Sequence, residues 1–170
     1  MTATIPISKI WKTIQLGTGL NTDDDFRKAF QKADCNIGDQ ADKILGKPAF
    51  TVSLKAKEVE LVIASVADLG FESGANRKDI YNRTNDLGLD LCLSEVGPQL
   101  RLQYKDQPRG EWLLIGMRPI SDSFYGFSIF SVERGGDDRC WLHAYLSPPN
   151  LVYNASSRWV FLRRKQFRSS

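Results

Sequence analysis

Between two apolar runs, Phe124 to Glu133 and Arg139 to Leu146, the chain reads Arg134-Gly135-Gly136-Asp137-Asp138. This punctuation constrains the fold more than any other stretch. Paired glycines supply the positive φ of a tight reversal, so the two runs are expected to fold back on each other as an antiparallel hairpin. The β signature extends to both sides. Leu100, Leu102 and Tyr104 alternate with Arg101, Gln103 and Lys105, the period-two pattern of a half-exposed strand. Asp106-Gln107-Pro108-Arg109-Gly110 makes a turn, and Trp112 to Met117 returns as a strand apolar on both faces. Ser147-Pro148-Pro149-Asn150 ends the hairpin, and Arg158 to Lys165 supplies a last strand. Residues 97–170 thus read as a mostly antiparallel meander of about five strands.

The first half follows a helical period. Thr22-Asp23-Asp24-Asp25 sets a capping hydroxyl three residues before a carboxylate and puts three negative charges at the positive end of a helix dipole. The triplet therefore reads as a cap, not a metal site. Phe26, Ala29, Phe30 and Ala33 follow at i, i+3, i+4 and i+7, an amphipathic helix burying two rings. Gly38-Asp39 opens a second short helix with Ile37, Ala41, Ile44 and Leu45 as its apolar points, stopped by Gly46 and Pro48, and the two form a helical hairpin. Ala49 to Leu54 is a short strand or an extended link, and Glu58 to Ser65 alternates as a strand. A further helix is capped by Asn76 and closed by Gly88. The expected class is α+β: a helical N-terminal half (1–96) packed on the β-rich C-terminal half (97–170), with the boundary near Gly97-Pro98. No repeat or low-complexity linker divides the chain, so 1–170 reads as a single domain.

Hydrophobic residues make up 42% of the 170 and charged residues 25%, enough to bury a core and too apolar for a disordered chain. Cys35, Cys92 and Cys140 are odd in number and widely spaced, and His143 is the sole histidine. A tetrahedral zinc site has no ligand set here, so no metal and no cofactor is expected, and the cysteines read as free thiols of a reducing compartment. Met1 to Trp11 lacks the apolar core of a signal peptide. Leu61 to Ala67 is far short of the roughly 20 residues that span a bilayer. A cytoplasmic protein without membrane contact is the expectation.

Charge is uneven. From Arg139 to Ser170 there are six basic and no acidic residues, which leaves 17 basic against 20 acidic in the remainder. Arg158-Trp159-Val160-Phe161-Leu162-Arg163-Arg164-Lys165-Gln166-Phe167-Arg168 interleaves cations with rings, as surfaces that grip phosphates and stack bases do. Arg158, Arg163, Arg164, Lys165 and Arg168 are the nucleic-acid candidates. The competing reading packs Val160 and Leu162 inward and leaves the arginines as a solubilising tail. Arg77, Lys78 and Arg83 on the Asn76 helix would form a second basic patch.

Alternation along Cys140-Trp141-Leu142-His143-Ala144-Tyr145 puts His143 on one face with Trp141 and Tyr145. Glu133 across the turn and Arg134 beside it complete a candidate acid–base set with His143, of the kind a phosphodiesterase uses. A histidine held on a half-buried aromatic face is the plainer reading. Cys140 points away from His143, which disfavours a Cys–His nucleophile, and no serine sits in a nucleophile elbow. Leu16-Gly17-Thr18-Gly19-Leu20 lacks the third glycine and the lysine of phosphate loops and reads as a turn before the Thr22 helix.

Two stretches carry a resemblance. Gly97 to Met117, GPQLRLQYKDQPRGEWLLIGM, and Lys9 to Leu20, KIWKTIQLGTGL, are similar to segments of a group of small uncharacterised bacterial proteins of about this length. The resemblance implies a bacterial source and a free-standing domain, and no activity. Three function classes follow from the residues themselves. First is a non-catalytic module binding a protein or small ligand on an aromatic, Arg-lined sheet face through Trp141, Tyr145 and Trp159, with Trp112 nearby. Second is nucleic-acid binding through the basic end, and third a nuclease-like enzyme using His143.

Overall fold

Helices and strands are interspersed through residues 12–103 and only strands follow, over residues 112–163, in the computed structural model, which describes residues 9–122 and 126–165. In order these are β1 (Lys12–Leu16), α1 (Asp23–Lys32), β2 (Cys35–Ile37), α2 (Asp39–Leu45), β3 (Lys57–Ser65), β4 (Ala75–Asn76) and α3 (Arg77–Asp86). There follow β5 (Leu89–Asp90), α4 (Val96–Gln103), β6 (Trp112–Ile115), β7 (Ile120–Asp122), β8 (Gly126–Arg134), β9 (Cys140–Leu146), β10 (Val152–Tyr153) and β11 (Arg158–Arg163). Nine strands join one sheet along the path β1-β3-β11-β6-β8-β9-β2, with β5 beside β11 and β7 beside β8. The pairs β11–β6 and β9–β2 are parallel; the other pairs of the path are antiparallel.

This corrects the expectation of a helical front on a five-stranded meander. The N-terminal half contributes both sheet edges, β1 and β2, and the nine-residue β3. The expected helical hairpin is interrupted, because β2 runs between α1 and α2 and pairs with β9. The expected boundary at Gly97-Pro98 lies inside a helix. Val96, Leu100 and Tyr104 recur at intervals of four and are all buried, a helical repeat that the accidental alternation of Leu100, Leu102 and Tyr104 disguised. Pro98 sits in the first turn, where its missing N–H costs nothing. Gly97 is required by packing, since a Cβ there would come 2.8 Å from the Phe130 ring.

Other local signals fold as they read. Thr22 Oγ1 accepts from Asp25 N at 3.1 Å while Asp25 reaches back to Thr22 N, the reciprocal capping box. Asn76 caps α3 by accepting from Asp79 N, and Gly88 takes φ +79° just beyond it. The β8–β9 hairpin forms, but Asp138, at φ +70°, supplies its left-handed residue in place of the paired glycines.

Register partners share a sheet face. One face presents Ile14, Leu16, Val59, Leu61, Leu113, Ile115, Phe130, Val132 and Leu142, all buried. Helix α4 touches β1 at one edge and also β8 and β9 toward the other, so the sheet curls round it, with α2 against β9 and α1 against β2. On the opposite face Tyr81 of α3 and Tyr153 of β10 cover Trp159 and Phe161. The rest of that face, over β6, β8 and β9, carries the half-exposed or exposed Trp112, Glu133, Trp141, His143 and Tyr145. No helix among the described residues is long and apolar enough to cross a membrane.

Candidate functional site

Strand β9 sends Cys140, Leu142 and Ala144 toward the helices and Trp141, His143 and Tyr145 to the open face, as its alternation implies. The Trp141 and His143 rings stack 4.8 Å apart and within 9° of parallel, and Tyr145 tilts against His143 at 5.9 Å. Side chains two apart on a strand that stack on each other stand edge-on to solvent. The facing sides of the two rings are spent on one another, which leaves less flat platform for a base. Gly38 lies against the imidazole, where a Cβ would come 2.5 Å from Nδ1.

Glu133 shares this face. It is the register partner of Trp141, and its Oε2 accepts from the Tyr145 hydroxyl at 2.7 Å. Burial, and then the carboxylate beside it, push the Tyr145 phenol well above its ordinary value, so it stays a donor. Ser131, the register partner of His143, is fully buried with its hydroxyl unpartnered among the described residues. Arg134 faces the other way, spending its guanidinium on Asp138 and the carbonyls of Lys105 and Gln107. The set of base, acid and cation expected around His143 therefore lacks its cation.

Trp159 corrects the aromatic reading. It is 0% exposed, stacked on Phe161 and edge-packed by Tyr81 and Tyr153, and belongs to the core. Its place on the surface is taken by Trp112, 47% exposed, which the register puts beside Glu133. Trp112, Tyr145 and Tyr153, with Leu146 and Leu151, wall a slot of about 310 Å³ floored by Leu114, and Glu133 also lines it. No arginine lines this slot among the described residues.

The arginines of the basic end are exposed but paired. Arg158 bonds Glu111 at 3.0 Å, Arg163 bonds Glu60 at 3.2 Å, and Arg164 bonds Asp90 at 2.8 Å. Lys165 is exposed, and Arg168 lies outside the described residues. On α3, Arg77 donates to the Ser147 carbonyl and Arg83 to that of Leu69, so neither is a loose cation.

A larger cavity of about 800 Å³ lies between α3, residues 91–94 and residues 118–120. Its polar groups are mostly committed. Tyr81 exchanges hydrogen bonds with the Met117 backbone, Thr51 with Ser94, and Asp90 and Asn85 both hold Arg164. A ligand pocket works through a few convergent free polar groups in an apolar wall. The smaller slot has the more apolar wall, and of its polar groups Glu133 keeps one oxygen free while the Tyr145 and Tyr153 hydroxyls are spent on Glu133 and Ser147. Its members Leu114, Leu151 and Tyr153 went unread in the sequence because only tertiary packing brings β6, β9 and β10 together. No protein-family model matches the chain, and no curated protein or solved structure matches it.

Proposed function

We propose that the chain is a non-catalytic binding module that takes a cationic ligand with an apolar body. An alkylammonium, or a Lys or Arg side chain of a partner protein, has that chemistry. The carrying observation is the carboxylate of Glu133 set among aromatic walls. Aromatic faces attract a desolvated cation by about 0.5–2 kcal/mol each, and a carboxylate adds charge complementarity. Glu133 spends one oxygen on Tyr145 and keeps the other for the ligand. The Arg-lined face expected from the sequence becomes an acid-lined one.

Titrating the full chain with tetramethylammonium and butylammonium, followed by tryptophan fluorescence, tests the reading. Saturable binding is expected, weakened about tenfold by Glu133→Gln and by Trp112→Ala, the loss of a contact worth roughly 1.4 kcal/mol. If n-butanol, the uncharged counterpart of butylammonium, binds as tightly as the cations, the reading is wrong.

Nucleic-acid binding has less support, because Arg158, Arg163 and Arg164 are paired with carboxylates. Acid–base catalysis at His143 has less support because Arg134 lies on the opposite face. A reducing, cytoplasmic setting belongs to the same proposal and is supported by three free cysteines among the described residues.

A further inference from the structure

Cys35 and Cys140 are register partners across the parallel pair β2–β9, although 104 residues separate them in the chain. Register partners share a face, so both thiols project to the helix-covered side of the sheet edge. Neighbouring strands lie roughly 4.8 Å apart, inside the roughly 4.4–6.8 Å between Cα atoms that a disulfide bridges. Both thiols are free and half-exposed. Cys92 is unlike them, buried, with its Sγ bonded to the Val160 carbonyl at 3.4 Å.

A second observation points to the same place. Arg101 of α4 is 1% exposed and, among the described residues, bonds no carboxylate. Its Nη atoms donate to Gln107 Oε1 and to the carbonyls of Glu133 and Tyr104, while its Nε has no partner among the described residues. Burial works against its charge, and α4, which carries it, packs on β9, the strand of Cys140. Burial pushes the Cys35 thiol up to about 11, Cys140 adds to this, and Arg101 opposes it. A buried guanidinium with a spare N–H and no carboxylate is suited to holding a thiolate.

We propose that Cys35 and Cys140 form a dithiol oxidised by hydroperoxides, with Arg101 as the residue that positions and stabilises the attacking thiolate. One thiolate attacks the terminal oxygen of the peroxide; the O–O bond breaks, and the leaving oxygen takes the thiol's proton to depart as water from hydrogen peroxide or as the alcohol from an organic hydroperoxide. The sulfenic acid so formed is attacked by the second thiol, the S–S bond forms, and the sulfenic oxygen leaves as a second water. Two thiols lose two electrons in all, and hydrogen peroxide is reduced to two waters. The bond fastens β2, a three-residue edge strand, to β9, the strand that carries Trp141, His143 and Tyr145. The inference stands apart from what the aromatic slot binds.

The test treats the reduced full chain with hydrogen peroxide, blocks remaining thiols with N-ethylmaleimide, and maps peptides without reduction. The thiol titre is expected to fall from three to one, with a Cys35–Cys140 linked peptide and Cys92 recovered alkylated after denaturation. Sulfinic acid on one cysteine, linkage between two chains, or three intact thiols after excess peroxide would each overturn the proposal. Arg101→Lys, the variant that keeps the charge, and Arg101→Gln then separate positioning from packing. Arg101→Gln should slow disulfide formation about tenfold near neutral pH and recover toward alkaline pH, where thiolate forms without the cation. An unchanged pH profile removes Arg101 from the proposal, and the peptide map of the unmodified chain decides the cysteine pair by itself.

Discussion

Glu95 is fully buried, and its carboxylate accepts from Gly17 N at 2.9 Å, Ser53 N at 2.7 Å and Gln99 Nε2 at 3.0 Å. It ties the turn after β1, the link before β3 and helix α4 together, and Gln99 passes the tie on to Thr18. Charged hydrogen bonds of this kind contribute about 1.5–3 kcal/mol, and removing the acceptor strands two backbone donors. Glu95→Ala should lower the free energy of unfolding by about 3 kcal/mol or more in urea denaturation, with Glu95→Gln losing less. Nothing in the sequence marks Glu95, because its role depends on two loops meeting it from elsewhere in the chain. Trp159 misleads for a related reason. Its neighbours Arg158 and Arg163 lend it the look of a stacking residue, and only the roof of Tyr81 and Tyr153 makes it core.

Elements with both a start signal and a strong period were legible. Helix α1 has the capping box, the acidic first turn and the buried pair Phe26 and Phe30, and all three agree. The backbone N–H groups of Asn21 and Thr22 hold the Asp25 carboxyl below its ordinary 3.8. A carboxyl depressed on folding stabilises the protein above its unfolded value, and that contribution is lost as pH falls through the folded value. Asp25→Asn should therefore lower the thermal midpoint at neutral pH, and the gap to the parent should close as pH falls below 3.8. Scans from pH 7 to about 2.5 follow this. Helix α4 was misread because its start has no side-chain cap and its buried Arg101 and Gln99 break the apolar pattern. Those polar residues are inside because they have partners there, which a periodicity argument cannot see.

At the scale of the molecule the sheet decides which parts are protected. Strands β3 and β11 sit inside the sheet and carry Leu61, Val62, Val160 and Phe161, all buried, whereas β2 is a three-residue edge. Local stability follows buried contact and paired backbone. Native-state hydrogen exchange should be slowest for amides of β3 and β11 and fastest among strands for β2. Equal protection of β2 and β3 would contradict this order.

The sequence by itself determined the caps, the hairpin, the inward and outward faces of β9 and the mixed α+β character, because these depend on neighbours within a few positions. The strand order, the parallel pairs β11–β6 and β9–β2, and the curl round α4 were decided only in tertiary structure. They join residues as distant as Cys35 and Cys140, and local pattern says which face a strand buries but not which strand lies beside it. The same limit explains the site. Trp141, His143 and Tyr145 were readable as one face, while the slot between Trp112 and Tyr145 and the acid that lines it exist only once β6, β8 and β9 are laid side by side.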